Sequence, residues 1–374
     1  MQNARGRSVI SADVADDGSF ADRSISPNSV GSVPVFKNPR LEGEDHMRKF
    51  LLSAVAVGAL MCGSVAHATC GDITLGSFSW QSSEAMAAVD QLILANGYGC
   101  NATIVVGDTV PTITSMIEKG QPDLAPEATP SLLGEVFTKG AAEGRIGQIG
   151  TAISDGQVSG WYIPQYIADA HPDIKTVEDA MKHPELFPAS EDPSKGAVIQ
   201  GPQGWGDTVV TAQLFKALNN PNFVMVPSGS AAALDGAISK AYEQKQGILA
   251  QYWSPTSLLG KYPMVRLEMA HDAAEWARCT SKQDCPDPKP NYWTQAEMVT
   301  LGSKGAVEKL DKPAAAYIAK RSWTQAEVGK VMLWMTENQA NGADGAKWFI
   351  KSMPDVWTKW VPADVADKVK AVVQ

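Results

Sequence analysis

The feature that most constrains this chain is an alternation. Short runs rich in β-branched and apolar residues are followed, one after another, by stretches of helical character. The strand-like runs include "DITLGSFS", "NATIVVG", "DLAPEAT", "GAVIQGP", "NFVMVPSG" and "GILAQYW". Between them lie helical stretches such as "SSEAMAAVDQLILAN", "VPTITSMIEKG", "TVVTAQLFKALN" and "SAAALDGAISKAYEQKQ". Strands returning through helices build α/β layers with largely parallel sheets. "QIGTAIS", "SGWYIP" and "MVRLEMA" also read as extended, and the remainder as mostly helical. Two sets of such units in about 300 residues predict two lobes.

The alternation begins only after residue 69. From Met47 the chain reads "MRKFLLSAVAVGALMCGSVAHATCG": a basic start at Arg48 and Lys49, an apolar run, and Ala66-His67-Ala68 as a cleavage site. That is the layout of a cleavable secretory signal over 47–68. Lipidation at Cys62 fits less well, because Met61 stands where a small residue is wanted. Residues 1–46 are polar and aperiodic, and we read them as a disordered, mis-called or non-native extension ahead of the signal. The expected divisions are then 69–158 for the first part of lobe 1, 159–262 for lobe 2, and 263–374 for a helix-rich second part of lobe 1.

Charge and cysteine usage narrow the class. The net charge is −9, and the first 68 residues carry equal numbers of each sign, so the exported part keeps it. An acidic chain argues against a nucleic-acid partner. Export makes disulfides plausible for Cys70, Cys100, Cys279 and Cys285. Neighbours in sequence, Cys70–Cys100 and Cys279–Cys285, are the simplest of three possible connectivities. Scattered histidines and the lack of a C-x-x-C give no support to a metal, and no cofactor is expected. "WTQAE" occurs twice, at 293–297 and 323–327; Thr three residues before Glu makes each a capping box, and both are read as helix starts.

The tryptophans carry the functional signal. Trp276, Trp293, Trp323, Trp334, Trp348, Trp357 and Trp360 lie in the C-terminal part, where core packing explains them. Trp80, Trp161, Trp205 and Trp253 instead fall at or near strand ends, where open α/β sheets bind ligands. Four indoles around one crevice would form a box. Such a box suits a quaternary ammonium, which has no N–H to donate but is attracted to ring faces by about 0.5–2 kcal/mol per contact. Half-buried packing is the plainer account of any one of them. In "GPQGWGD", Gly204 and Gly206 strip side chains from beside Trp205, and the helix that follows points free N–H groups at the same place, which favours a carboxylate. A cation at one end and an anion at the other describe a betaine. Asp207 also reads as the cap of that helix.

These residues resemble the substrate-binding proteins of ABC importers for glycine betaine, choline, carnitine and related compounds. The marks are "GWGD" before a helix, "QYWSP" after a strand, "PEATP" at 126–130 and "MPDVWTKWV" near the end. The resemblance covers essentially the whole exported part. It implies a two-lobed periplasmic binding protein fold of type II, each lobe a mostly parallel sheet flanked by helices, closing on ligand. It implies no enzymatic activity, a periplasmic location, a monomer, and a membrane permease as partner. It carries cage roles to Trp205 and Trp253, carboxylate-holding backbone N–H groups to Gly206 and Asp207, and aromatic positions of the choline-binding branch to Trp80 and Trp161. It breaks at Ala128, where relatives often have a cage Trp. Either Trp80 or Trp161 replaces that wall, or Glu127 faces the pocket and favours a cation without a carboxylate, or a bulkier ligand. A strand-end carboxylate is as good a reading of Glu127. Other readings are a binder of an amino acid or organosulfonate, which would need an Arg clamp beside the tryptophans, and an exported hydrolase, for which no G-x-S-x-G or H-E-x-x-H is present.

Overall fold

The computed structural model describes residues 70–373. The signal segment 47–68 and the stretch 1–46 lie outside the described residues. Among those described, no helix is long and apolar enough to cross a membrane.

Among the described residues, nine strands form one sheet: β1 (Asp72–Ser77), β2 (Asn101–Val106), β3 (Leu124–Ala128), β4 (Ile146–Pro164), β5 (Gly196–Gln200), β6 (Phe223–Pro227), β7 (Leu249–Ser254), β8 (Met264–Arg266) and β9 (Gln295–Ser303). Their order is β2-β1-β3-β9-β4-β7-β5-β6, with β8 paired to β4. Two parallel trios stand at its ends, β2-β1-β3 and β7-β5-β6. The expected parallel sheets are therefore present, but they are not separate: the antiparallel pair β9–β4 joins them. Within that pair the register shifts three times between Gln148 and Gln157.

Each trio has its own apolar packing. Around β1 the helix Gln81–Tyr98 buries Met86, Val89, Ile93 and Leu94 against the C-terminal helices, where Trp323, Phe349 and Trp357 are fully buried. Around β5 a second core holds Trp161, Val198, Leu214 and Phe223. Leu267, Tyr292 and Trp293, from the stretch expected to rejoin the first lobe at 263, pack in this second core instead.

The two copies of "WTQAE" part company. Thr324 and Glu327 make a full capping box at the start of the helix Gln325–Glu337. Gln295–Glu297 open β9 instead. The continuation decides between them. After Glu327, residues Val328, Val331, Met332 and Met335 repeat at helical spacing and are all buried. After Glu297 comes the continuous run "MVTLGS", which suits a strand with a partner on either side, β3 and β4.

The helix Gln81–Tyr98 ends at Gly99, in the left-handed region. Gly97 lets the C-terminal helix come close: a Cβ there would stand 2.7 Å from Val365. Both disulfides join sequence neighbours, Cys70–Cys100 and Cys279–Cys285.

Candidate functional site: an indole-walled cavity between the two parallel trios

The carboxyl ends of β1, β2, β3, β5 and β7 all lead to one place. The residues there enclose a small cavity of about 30 Å³, on a scale where one water needs about 10–15 Å³. As it stands, that is room for about two or three waters. Its walls include Trp80 after β1, Thr109 after β2, Glu127 and Ala128 on β3, and Trp205, Gly206 and Asp207 after β5. Trp253 on β7, Gln157 on β4 and Met298 on β9 complete much of the rest.

Three indoles meet at near right angles. Trp80 and Trp205 have centroids 5.4 Å apart at 80°, Trp205 and Trp253 5.1 Å at 88°, and Trp80 and Trp253 6.5 Å at 71°. Three perpendicular rings each about 4.5 Å from a shared cation would have centroids about 6 Å apart, so these spacings are close to those of a box corner. The ring orientations are pinned. Trp80 Nε1 donates to Glu127 Oε1 at 2.8 Å, and Trp205 Nε1 donates to Ser79 Oγ at 3.3 Å. Ser79 Oγ in turn donates to Asp108 Oδ1.

Two carboxyl groups face the same space. Glu127 also accepts from Ser82 Oγ at 3.0 Å, and its Oε2 is buried without a partner. Burial pushes this carboxyl up to about 7, against the pull of the Trp80 and Ser82 hydrogen bonds and of Arg321. Burial likewise pushes Asp207 up to about 6, against the pull of the nearby Ser159 and Trp293 side chains, and its Oδ1 is unpartnered. Asp207 is not the helix cap. The N-cap of Gly206–Leu218 is Trp205, no side chain caps the helix, and Asp207 sits in the first turn. Among the described residues, no Lys, Arg or His lines the cavity.

Six of the seven expected site residues thus meet here: Trp80, Glu127, Trp205, Gly206, Asp207 and Trp253. Trp161 does not. It is fully buried in the second core and its Nε1 reaches Thr211 Oγ1 at 3.5 Å. Strand direction is the reason. β4 runs antiparallel to β7, so its residue Gln157 stands at the cavity, and Trp161 lies four residues, about 13 Å, further in. Ala128 and Trp80 line the same cavity, with the Trp80 ring held by Glu127.

The glycines also have a different use from the one expected. A Cβ on Gly201 would stand 2.6 Å from the Trp205 ring, so Gly201 makes room for the indole itself. One on Gly204 would meet Asp108 at 2.5 Å, and one on Gly206 would meet the Leu132 carbonyl oxygen at 2.5 Å. Val110 N also donates to Gly204 O at 3.1 Å. Gly204 and Gly206 therefore let the β5 side pack directly against the β1–β3 side. Thr109 and Gln157 are lining residues that the sequence reading missed. Thr109 was within reach of the strand-end argument, since it opens the helix after β2. Gln157 carries no such signal.

A second contact lies at the rim. Trp276 Nε1 donates to Ser131 O at 2.9 Å, Lys282 pairs with Glu135 at 3.4 Å, and Gly134 packs against Ser281. The Cys279–Cys285 disulfide closes this loop, and Gln213 and Lys216 hold it to the helix Gly206–Leu218.

Comparison with known proteins agrees with this layout. Residues 71–352 match the family model described as the substrate binding domain of ABC-type glycine betaine transport system, OpuAC. A glycine betaine/carnitine transport binding protein, GbuC, of Listeria monocytogenes is 28% identical over 153 residues, 41% of this chain and 43% of that protein. The match therefore spans less than half of that relative's length. Among solved structures, the glycine betaine/L-proline-binding protein ProX of Borrelia burgdorferi superposes with a TM-score of 0.63 at 17% identity, covering 80% of this chain and 99% of that one. Lactococcal OpuAC, closed on glycine betaine, gives 0.60 at 20% identity, covering 78% and 100%. A choline binding protein in complex with choline gives 0.63 at 15% identity, covering 82% and 99%. At these identities the structures show the shared two-lobed fold. The match over most of the described residues shows the family: the chain belongs to the substrate-binding domains of ABC-type glycine betaine transport systems.

Proposed function

We propose that the protein is the extracytoplasmic, periplasmic receptor of an ABC importer. It captures a methylated onium compound (glycine betaine, choline, carnitine or a similar solute) between its halves and hands it to a membrane permease. It acts as a carrier, not as a catalyst. The observation that carries this reading is the set of three near-perpendicular indoles around a cavity lined by two carboxyl groups, Glu127 buried and Asp207 half-buried, with no basic residue among the described lining residues. Ring faces attract a cation that cannot hydrogen-bond, and the carboxyl groups add charge of the right sign.

The same acids bear on the choice among ligands. A betaine brings a carboxylate into a space that already holds Glu127 and Asp207. Calorimetry with choline, trimethylamine N-oxide, carnitine, glycine betaine, proline, taurine and arginine should show binding by the onium compounds. Those without a carboxylate should bind most tightly near pH 8, with the gap narrowing as the acids take up protons. Taurine or arginine as the best ligand would overturn the reading.

The pH dependence has a definite sign. A carboxyl whose folded value is raised holds its proton more tightly in the folded state. For Glu127 this stabilises the empty protein fully below its ordinary value of 4.5, and the benefit is lost as pH rises through about 7. Asp207 behaves in the same way from 3.8 through about 6. Capture of a cation runs the other way, strengthening as the two groups ionise. Thermal unfolding with and without choline should therefore show a ligand-induced gain that grows from about pH 5 to pH 8. Glu127→Gln should flatten the upper part of that rise and Asp207→Asn the lower part.

A further inference from the structure

Behind β3, away from the cavity, lies a charged group that the site described above does not use. Arg321, just past the helix Lys312–Lys320, is completely buried, as is Asp90 on the helix Gln81–Tyr98. Arg321 Nη2 donates to Asp90 Oδ2 at 2.8 Å, and Asp90 Oδ1 accepts from Tyr317 OH at 2.6 Å. An ion pair this deep is expensive to desolvate and is poor evidence of stabilisation by itself. Burial still pushes the Asp90 carboxyl up, in spite of Arg321.

The remaining contacts point toward the site. Arg321 Nη2 also donates to Thr300 Oγ1 at 2.9 Å and lies 3.3 Å from the Pro126 carbonyl oxygen. Thr300 Oγ1 donates to that same oxygen at 3.0 Å. Pro126 is the residue before Glu127, so the network grips the strand just where Glu127 turns into the cavity. Arg321 Nε and Nη1 have no partner, and neither has Glu127 Oε2; all three are buried. The guanidinium charge acts on Glu127 from behind, against the desolvation that favours its neutral form.

We propose that Arg321, clamped by Asp90, is a positioning residue that sets both the direction and the charge of Glu127 in the cavity. Asp90 is the other half of the device. It takes up part of the guanidinium's field, so Glu127 feels a reduced positive charge. The other groups near Glu127 are the Trp80 N–H and Ser82 hydroxyl in front, Tyr317 beside Asp90, and Asp207 on the opposite wall.

Opposite effects of the two partners test this. In the ligand-free full chain, the infrared band of a protonated carboxyl that disappears in Glu127→Gln reports the Glu127 proton directly. Its titration midpoint should move up by about one pH unit in Arg321→Gln and down by a similar amount in Asp90→Asn. Midpoints that stay put, or move the same way, overturn the electrostatic part. Should Arg321→Gln fail to fold, the downward shift in Asp90→Asn decides alone. Thr300→Val changes no charge, so the midpoint should hold while choline affinity falls severalfold; unchanged affinity overturns the positioning part. Only the affinity measurement rests on the ligand reading proposed above. The infrared midpoints are read without ligand, so the failure of one is distinct from the failure of the other.

Discussion

Trp205→Ala should weaken capture of choline or a related onium by at least about tenfold, near 1.4 kcal/mol or more. Trp205 is the wall shared by the other two indoles, 5.4 Å from Trp80 and 5.1 Å from Trp253. Its removal takes away one ring face and lets water reach the cation, which weakens the remaining two contacts as well. Trp253→Ala should lose more than about 1 kcal/mol for the first of these reasons. Trp161→Ala is the contrasting case. That ring belongs to the second core, so its loss should cost about 3–5 kcal/mol of folding stability without removing a ligand contact. Calorimetry and thermal unfolding on the three variants separate the roles. Unchanged affinity in both Trp205→Ala and Trp253→Ala would remove the basis for an aromatic cage.

The second large effect concerns closure. Gly206→Val should lower ligand affinity by about tenfold to a hundredfold, although Gly206 has no side chain to lose. Its φ is not positive, so backbone strain is not the issue. A Cβ would stand 2.5 Å from the Leu132 carbonyl oxygen, a backbone atom that cannot swing aside. Relieving such an overlap costs about 1–3 kcal/mol, and the cheapest relief is to leave the two sides apart. Apparent affinity then falls with the fraction of molecules able to close. Gly204→Val should act similarly through Asp108. Small-angle scattering at a choline concentration that only just saturates the wild type should find the wild type compact and the Gly206→Val chain more extended, with compaction recovered at higher choline. Compaction equal to that of the wild type would show that the side chain is accommodated.

Much of this architecture could be read from the sequence, because alternating strands and helices leave few ways to arrange themselves. The cavity was legible to the extent that it follows from strand direction. Trp80, Trp205 and Trp253 lie at the carboxyl ends of parallel strands and meet there. Trp161 looked equivalent, but β4 runs the other way, and a single sequence does not announce an antiparallel insertion. "WTQAE" at 293 failed for a related reason: its cap signal is local, whereas the strand it became is imposed by neighbours on both sides. The Asp90–Arg321 pair was out of reach altogether. Its members are 231 residues apart, and nothing local marks either one as buried.

The disulfide-closed loop at 279–285 leads to one more point. The loop through Lys282, and Trp276 just ahead of it, bridge the two sides at the rim, and neither residue lines the cavity. How long a captive molecule stays can therefore be adjusted without altering the surfaces that recognise it. Under the proposed function, selectivity and the rate of release would then be set by different residues.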